Sequence, residues 1–521
     1  MRFMDDQKDE KKPMDDKELI LFQLGPVQDF IAQAETLEDL REGSRMLSEW
    51  TAAALRTIPD YANAAVFPAV ASEKPEDLDG IPNRFLVFVP KGQGETLAEK
   101  AVEAAQARLR EMAHAVLEKL RLSKSRCAEF NRQVAAFLQT SWAVLKNPDA
   151  DMGKNYETIG RLMALRRNVR AFDAWPEEES GRVKDFLSGR EAALDVADND
   201  APNRNCGRGA LNLIKKMRGE SDKVKSKDSL KSEEGKAEKY IAVIALDGDH
   251  MGGTLSGFKT QDEHRKFSQK LMAFASDVEK MFDEGFNVSV GKTAHFVKPD
   301  DGFLVYAGGD DVLAVVKATD AFEVAQAISK KFKDEVGTGL TASVGIAIGS
   351  NKAPLQDLVR EAQSAEHRAK HDYGRDALAV SVLKRSGETL RWGCKWNSAA
   401  FAIYRCLVEQ EGAFSRFAYK IAGFLEPYDL GSCDEKAWEK MSGVVLAETQ
   451  HALGQMDDKD KVVKVQGVLT DELLGKYLKE GSVKAHPEDY LGLFLCEAFI
   501  NRKRSDGEKE KNSEMGKENC K

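Results

Sequence analysis

Cysteine is scarce in this sequence and shows no pairing pattern. The seven cysteines are scattered, and no two of them form a Cys-x-x-Cys pair. Disulfide scaffolds and sequence-recognisable zinc knuckles both depend on closely spaced cysteines, so the pattern argues against either. We therefore expect buried or inert thiols, and we expect no bound zinc.

Long apolar runs are missing as well. The sequence has no stretch of about 18 apolar residues, so it predicts no membrane-spanning helix. The first 17 residues are highly charged and lack the apolar segment of a secretory signal. These absences predict a cytoplasmic protein.

Positive charge does not dominate. Lysine and arginine number 77 against 86 acidic residues, which gives a formal net charge of −9. A freestanding nucleic-acid binder is usually basic, because neutralising phosphates supplies much of its affinity. We therefore expect any contact with RNA or DNA to be local or to be made through partner subunits.

The elements that are present predict an α+β protein with two ferredoxin-like palm domains. In the first palm, ELILFQLG, AAVFP and RFLVFVP predict strands, while residues 95–122 and 126–145 have helical apolar spacing. In the second, YIAVIALDGDHMGG, FLVYAGGDDVLAVVK and GLTASVGIAIG alternate with helices in the order βαββαβ, followed by a helix and a final strand, DALAVSVLK.

The predicted boundaries follow from these patterns and from composition. Residues 215–239 are almost free of apolar side chains and predict a flexible linker, with a basic RNA-contacting arm as the alternative. The predicted domains are a disordered tail (1–17), the first palm (18–145), a helical insert with linker (146–236), the second palm (237–390), a C-terminal helical domain (391–503) and a disordered tail (504–521).

Two groups of aspartates are the strongest chemical signal. Asp247 and Asp249 follow the first strand of the second palm, and Asp310 and Asp311 lie in the hairpin between its second and third strands. The first and third strands of a ferredoxin-like sheet are adjacent, so the two loops should meet. Clustered carboxylates suit two Mg²⁺ or Mn²⁺ ions, which would activate a hydroxyl and neutralise a leaving pyrophosphate. We predict metal ligands at Asp247, Asp310, Asp311 and Gly248, with Asp310 and Asp311 catalytic.

Glycines and cations around these aspartates predict a nucleotide-binding site. Gly252 and Gly253 would let backbone N–H groups approach a triphosphate, and Gly308 and Gly309 would form the tight turn. Lys370 and Arg375 are the best candidates for phosphate contact. Ser343 could touch a base, although a buried hydroxyl bonded to the backbone is equally compatible with its position. The predicted nucleotide-binding residues are Asp249, Gly252, Gly253, Gly308, Gly309, Ser343, Lys370 and Arg375.

One His-Asp dipeptide, His371-Asp372, raises the alternative of a metal-dependent HD phosphohydrolase. Such an enzyme needs further histidine and aspartate ligands in a helical domain. Here the first histidine of the chain is His114, and the dipeptide lies inside the second palm. We therefore predict that this is not an HD nuclease.

Several segments resemble a known family. The N-terminal palm-like domain of the large subunit of Cmr-type (subtype III-B) CRISPR effector complexes is closely resembled by two segments, LGPVQDFIAQAETLEDLREGSRMLSEW and IPNRFLVFV. IALDGDHMGG, YAGGDDVLAVV, LTASVGIAIG and AKHDYGRDALAV resemble its catalytic palm. A diguanylate cyclase shares the palm but is expected to show GGDEF or GGEEF, whereas Val312 follows Asp311 here.

The resemblance implies a nucleotidyltransferase that polymerises ATP into a cyclic oligoadenylate messenger and releases pyrophosphate. It also implies a complex with other Cmr-type subunits, a guide RNA, and a target RNA that activates the site. Asp247, Asp310 and Asp311 would hold the metals, and Lys370 would contact the triphosphate. The first palm has GPVQ where the second has DGDH, so we expect it to be non-catalytic and to contribute Gly25 and Gln28 to the acceptor pocket.

The sequence departs from the family pattern in two places. Many members begin with an HD domain that cuts single-stranded DNA, whereas this chain starts at the first palm, so we expect no such cleavage. Many members also carry paired Cys-x-x-Cys motifs between the palms, where this chain has Cys206 alone. Zinc is therefore not expected.

Three alternatives stay open. Related members without the nuclease adenylate S-adenosylmethionine with ATP, so an AMP adduct is a second possible product of the same site. The chain could also be a non-catalytic scaffold, although intact DGD and GGDD motifs favour an enzyme. A freestanding signalling cyclase is disfavoured by the two-palm layout and by the absence of a sensory domain.

Overall fold

A computed structural model shows the chain as two compact units. The first comprises Met1–Ala34, Glu38–Val224 and His250–Ala273, and the second Glu35–Leu37, Lys225–Asp249 and Phe274–Lys521. The structure describes residues 16–72, 74, 78, 80–168, 183–195, 207–219, 230, 239–290, 293–337, 339–408, 415–455 and 469–500. Residues 1–15 of the first predicted tail, the whole second tail, most of the predicted linker and Cys206 lie outside these residues, whereas Lys17 already belongs to a strand.

The described residues alternate strands and helices through both palms and end in helices. The strands are β1 (Lys17–Gly25), β2 (Ala65–Phe67), β3 (Arg84–Pro90), β4 (Gln139–Leu145), β5 (Tyr240–Gly248), β6 (Phe286–Val290), β7 (Thr293–Val297), β8 (Gly302–Gly308), β9 (Asp311–Lys317), β10 (Ala342–Ser350), β11 (Ala377–Leu383) and β12 (Thr389–Lys395). The helices are α1 (Gln28–Ala32), α2 (Leu37–Leu55), α3 (Tyr61–Ala64), α4 (Gly94–Leu117), α5 (Lys124–Phe137), α6 (Met152–Asn168), α7 (Ala210–Gly219), α8 (Met251–Gly257), α9 (Gln261–Glu284), α10 (Ala321–Val336), α11 (Leu355–His371), α12 (Ala399–Val408), α13 (Ser415–Leu425), α14 (Glu435–Gly454), α15 (Asp471–Tyr477), α16 (Gly481–Ala485) and α17 (489–500).

The first unit contains a four-stranded sheet in the order β2-β3-β1-β4. The central strand β1 pairs antiparallel with β3 on one side and with β4 on the other. Alternate residues of β1 point to opposite faces, so Leu19 packs in a buried cluster with Met152 and Ile159 of α6, while Phe22 stacks on Phe85. This order of strands and connections confirms the predicted ferredoxin-like palm.

Two predictions in this unit were wrong at the level of individual elements. The helix predicted over 126–145 ends at Phe137, and Gln139–Leu145 forms β4. Apolar spacing over so short a stretch does not separate a helix from a strand, and pairing with β1 decides for the strand. The predicted linker begins too early, because α7 runs to Gly219 and Lys215 within it is almost fully buried.

The second unit contains a six-stranded sheet in the order β12-β11-β10-β5-β9-β8. The strands β10, β5, β9 and β8 reproduce the predicted antiparallel ferredoxin-like order, with β5 and β9 adjacent at the centre. The strand β11 adds parallel to β10 through the α11 crossover. The second palm is therefore confirmed. The end of β5 and the start of β9, which carry the aspartates, lie at the same end of these two adjacent strands.

This unit holds three strands that the sequence analysis missed. DALAVSVLK is not the final strand, because β12 pairs antiparallel with β11 and forms the sheet edge. β6 and β7 form a separate two-stranded hairpin before β8. β6 and β7 have only five residues each, and β12 is less apolar than β5 and β9, so pairing partners rather than local pattern define these three strands.

Helix α11 packs unusually close to β10. A Cβ placed on Gly345 would lie 2.1 Å from the Ala362 carbonyl oxygen and 2.1 Å from the Glu366 backbone nitrogen. Only glycine leaves room for this approach, since any side chain would occupy the same volume as the helix backbone. The contact fixes the height of α11 above the sheet, and with it the position of Glu366 and Lys370.

None of the helices in the described part of the chain is long and apolar enough to cross a lipid bilayer. The described cysteines, which are Cys127, Cys394, Cys406, Cys433 and Cys496, carry free thiols.

Candidate active site

The pairing of β5 with β9 brings the two aspartate groups together. In this antiparallel ladder Leu246 lies opposite Val312. Asp247 is the next residue along β5 and Asp311 the preceding residue along β9, so the two follow one another at the same end of adjacent strands. Two loops that are distant in sequence therefore place their carboxylates side by side, as the sequence analysis expected.

The GGDD segment forms the turn between β8 and β9. Gly308 pairs with Asp311, which leaves Gly309 and Asp310 as the two turn residues. Gly309 has a φ of 67°, a left-handed conformation that a side chain would strain. The tight turn holds Asp310 and Asp311 next to each other at the sheet edge.

The electrostatics show how closely these acids approach. Burial, the negative charges of Asp247 and Asp310, and a hydrogen bond with the Asp247 side chain together raise the pKa of Asp311 well above its usual range, despite the opposing charge of Lys370. Burial and Asp311, followed by Asp247, likewise raise the pKa of the Tyr306 phenol. The site concentrates negative charge that its own cations do not balance.

Lys370 is the cation inside this cluster. Its ammonium group forms an ion pair with Asp247 and a second one, of 2.9 Å, with Glu366 one helical turn earlier on α11. Burial lowers the pKa of Lys370, but the two carboxylates outweigh burial, and its pKa lies above the usual value. The predicted phosphate ligand thus lies at the site and is already engaged with a predicted metal ligand.

The donors fit a divalent cation in type and charge. Asp247, Asp310 and Asp311 supply hard oxygen ligands, and Lys370 is opposed by these three carboxylates together with Glu366. Mg²⁺ and Mn²⁺ prefer such oxygen-rich, negative surroundings. Within the described residues, no three histidine, cysteine, aspartate or glutamate side chains are grouped so as to hold an ion, so the three aspartates would have to change side-chain conformation to bind one.

Asp249 and Ser343 have a different place from the one predicted for nucleotide ligands. The buried Asp249 carboxylate accepts hydrogen bonds from the hydroxyls of Thr341 (2.7 Å) and Ser343 (2.8 Å) and from the Asp376 backbone N–H (2.9 Å). Ser343 is fully buried. This geometry favours a structural role for both residues, in which Asp249 ties β10 to the turn after α11.

Arg375 lies in that turn, four residues after the end of α11. Gly374, Arg375 and Asp376 have φ angles of 75°, 63° and 45° in succession. Two consecutive non-glycine residues in the left-handed region are costly, and the surrounding contacts must hold them there. Arg375 therefore lies within a constrained turn that begins shortly after Lys370.

Gly248 ends β5 in the second unit, whereas the remaining predicted residues lie in the first unit. Gly252 and Gly253 are exposed on the short helix α8, and a Cβ on either would meet no atom within 4 Å. Gly25 ends β1, and Gln28 begins α1. Their assignment to a phosphate and acceptor pocket stays a prediction.

Sequence reasoning missed three residues at the site. Glu366 and Tyr306 face the same carboxylates, and Thr341 bonds Asp249. The spacing of Glu366 and Lys370, four apart on one helix, was a readable signal for the first. Tyr306 and Thr341 depend on strand pairing, which no local pattern specifies.

Replacing Asp311 with asparagine should stabilise the metal-free protein. The pKa of Asp311 is higher in the folded than in the unfolded chain. At a pH below its unfolded pKa of about 3.9 the Asp311 carboxyl therefore costs no stability, and as the pH rises above that pKa it lowers the free energy of unfolding increasingly. We expect D311N to melt about 2–4 °C above the parent at pH 7, with a gain that shrinks toward pH 4.5. The exposed Asp357 on α11 gives a matched control, D357N, which should melt like the parent. A lower melting temperature for D311N at pH 7 would contradict the assignment.

Two family models match the chain. Residues 240–379 match the second palm domain of Cas10/Cmr2, and residues 19–118 match the N-terminal domain of the CRISPR-associated protein Cmr2. The first match contains Asp247, Asp310, Asp311 and Lys370. Over these two regions the chain is similar to Cas10/Cmr2 proteins. The family resemblance inferred from the sequence is thereby confirmed.

Curated relatives include a Cmr2 subunit and Cas10/Csm1 proteins of subtype III-A. The chain is 27% identical over 272 residues to the Cmr subunit Cmr2 of Pyrococcus furiosus, a match that covers 45% of this chain and 31% of the relative. It is 25% identical over 240 residues to the single-strand-specific deoxyribonuclease Cas10/Csm1 of Streptococcus thermophilus, covering 44% of this chain and 29% of that one. These matches span less than a third of the relatives' length.

Solved structures of Csm1 share the fold. Csm1 of T. onnurineus aligns with a TM-score of 0.54 at 15% identity, covering 94% of this chain and 70% of Csm1. The Csm1–Csm4 cassette in complex with AMPPNP aligns with a TM-score of 0.52 at 17% identity, covering 94% and 71%. The cassette in complex with cA4 aligns with a TM-score of 0.50 at 16% identity, covering 89% and 70%.

Proposed function

We propose that this chain is the large subunit of a type III CRISPR effector complex and that its second palm joins adenylates from ATP into a cyclic oligoadenylate. The observation that carries the proposal is the convergence of Asp247 with Asp310 and Asp311 in a Cas10/Cmr2 second palm domain. A buried group of like charges is unfavourable for stability, and such arrangements concentrate at functional sites.

Relatives supply the substrate class. Solved Csm1–Csm4 cassettes are in complex with AMPPNP, with pppApA and with cA4, which correspond to a nucleotide, a linear dinucleotide and a ring. Those structures share the fold of this chain. In these cassettes Csm1 is bound to Csm4. This supports the proposal that the present chain assembles with further CRISPR subunits and, through them, with guide and target RNA.

The proposed chemistry is phosphoryl transfer. A ribose hydroxyl of one adenylate attacks the α-phosphorus of ATP, an oxygen–phosphorus bond forms, and the bond to pyrophosphate breaks. Two divalent ions, when bound, would activate the hydroxyl and neutralise the leaving pyrophosphate. In this proposal the ions are held by Asp247, Asp310 and Asp311, with Gly248 beside them.

Lys370 changes partner in this scheme. Its ammonium group pairs with Asp247 and Glu366 in this structure. Once Asp247 has another cation to bind, Lys370 becomes available for the triphosphate and keeps Glu366 as the carboxylate that orients it. Arg375, in the constrained turn nearby, is the second proposed phosphate contact.

Product analysis of the assembled complex tests the proposal. The complex, with guide RNA and this chain, is incubated with labelled ATP and Mg²⁺ or Mn²⁺, with matched or mismatched target RNA, and with or without S-adenosylmethionine. Mass spectrometry should show cyclic oligoadenylates only with matched RNA and divalent cation. An AMP adduct formed only with S-adenosylmethionine would replace the ring as product while keeping the site. If no adenylate product formed under any of these conditions, the chain would be a non-catalytic scaffold subunit.

A further inference from the structure

The turn that follows α11 is held from two sides by buried carboxylates. On one side Asp249 accepts a hydrogen bond from the Asp376 backbone N–H. On the other side the Tyr373 hydroxyl donates to Asp489 of α17 over 2.6 Å. Both carboxylates are almost fully buried. The turn between them contains the three consecutive left-handed residues, so its conformation depends on these anchors.

The second anchor is built into close backbone packing. A Cβ on Gly393 of β12 would lie 2.2 Å from the Tyr373 ring, and a Cβ on Gly492 of α17 would lie 1.9 Å from the Arg391 carbonyl oxygen. Asp489 also accepts a hydrogen bond from the Gly393 backbone N–H. The ring of Tyr373, the strand β12 and the helix α17 are thus in close contact, and one hydroxyl joins the turn after α11 to α17.

The same helix has a connection deeper into the helical region. Tyr490, next to Asp489, shares a 2.8 Å hydrogen bond with Thr449 of α14 and stacks on Tyr477. Tyr490 therefore ties α17 to α14 through a hydrogen bond separate from the one that Asp489 accepts from Tyr373. A displacement of α17 along its axis would act first on Asp489 and then on Tyr373.

We propose that Tyr373 and Asp489 are positioning residues, which hold the turn after α11 so that Lys370 and Arg375 meet the nucleotide, and through which the C-terminal helices control the site. This inference rests on the proposed function for its catalytic consequence. It makes α17 the element whose position sets the affinity of the palm for ATP.

Tyr490, a buried tyrosine of α17, supplies a matched comparison for Tyr373. Tyr373→Phe and Tyr490→Phe each remove one hydroxyl and one buried hydrogen bond, but only the first releases the turn. Loss of folded protein alone lowers kcat and leaves KM unchanged, whereas misplaced phosphate contacts raise KM. We expect Y373F to raise the KM for ATP about tenfold, Y490F to change it less than about twofold, and the conservative D489N, which keeps an oxygen acceptor, to stay close to the parent.

Hydrogen exchange gives a readout that needs no activity. In the full chain, the backbone amides of Arg375 and Asp376 should exchange at least about tenfold faster in Y373F than in the parent, and at the parent rate in Y490F. If Y373F and Y490F changed the KM for ATP and the exchange rates of residues 375–376 equally, Tyr373 would only stabilise the core, and the inference would be overturned. If the parent complex makes no adenylate product, the proposed function fails, and exchange at residues 375–376 still decides whether the anchor exists.

Discussion

Replacing both Asp310 and Asp311 with alanine is expected to abolish adenylate product in the assembled complex, with a loss of at least about 10³-fold. The two residues supply most of the negative charge that the turn presents beside Asp247, and no other described carboxylate in the GGDD turn could replace them. Mass spectrometry of products from labelled ATP measures the loss. Because the turn lies at the sheet edge and its buried like charges repel, assembly of the complex and the folded state should survive.

A double variant of exposed acids controls for charge alone. Asp283 and Asp357 are exposed residues of α9 and α11. D283A/D357A changes the net charge by the same amount and should retain product formation within about twofold, since exposed substitutions are usually near neutral. Product at the parent level from the Asp310/Asp311 variant would remove the site assignment, whereas loss in both double variants would point to assembly instead of chemistry.

Replacing Gly345 with alanine should both destabilise the chain and weaken the site. The new methyl group would meet the backbone of α11 at 2.1 Å, and a backbone cannot rotate away as a side chain can. Overpacking of this kind costs about 1–3 kcal/mol, which denaturant unfolding of the full chain would measure. Since α11 carries Glu366 and Lys370, we also expect product formation to fall at least about tenfold, because catalytic geometry tolerates little displacement.

The same substitution at an uncrowded glycine provides the control. Gly443 is an exposed residue of α14, and a Cβ there would meet no atom within 4 Å. G443A should raise the free energy of unfolding by about 0.5–1 kcal/mol, because alanine favours the helix over glycine. A G345A variant as stable as the parent would show that α11 can move away from β10 at little cost.

The sequence was most informative where local pattern and chemistry coincide. Buried apolar runs interrupted by DGD and GGDD predicted β5, β8 and β9 and the meeting of Asp247 with Asp311, because the connection order of a ferredoxin-like sheet leaves few alternatives. It failed at β4 and β12, whose identity depends on a pairing partner supplied from elsewhere in the chain.

The roles of individual side chains were harder to predict for the same reason. Asp247 lies on β5 and Asp249 just after its end, yet Asp249 is buried among hydroxyl donors and Asp247 faces Lys370. Nothing in the DGD motif separates these environments, because Thr341 and Ser343 come from β10 and the segment before it, about 90 residues later. Likewise, Lys370 could be predicted as a phosphate contact, but its ion pair with Asp247 required the packing of α11 on the sheet.

That ion pair implies that the divalent ion and the nucleotide of the proposed reaction cannot bind independently. An ammonium group already occupies part of the carboxylate cluster, so a divalent cation has to displace it, and each displacement frees one positive charge for an incoming phosphate. Thermodynamic linkage then requires that the two effects be equal. The factor by which the bound ion raises the affinity for ATP is the factor by which bound ATP raises the affinity for the ion. A chain with this arrangement should therefore show positive cooperativity between magnesium and nucleotide, and the free ion concentration in the cell would help to set its threshold of response.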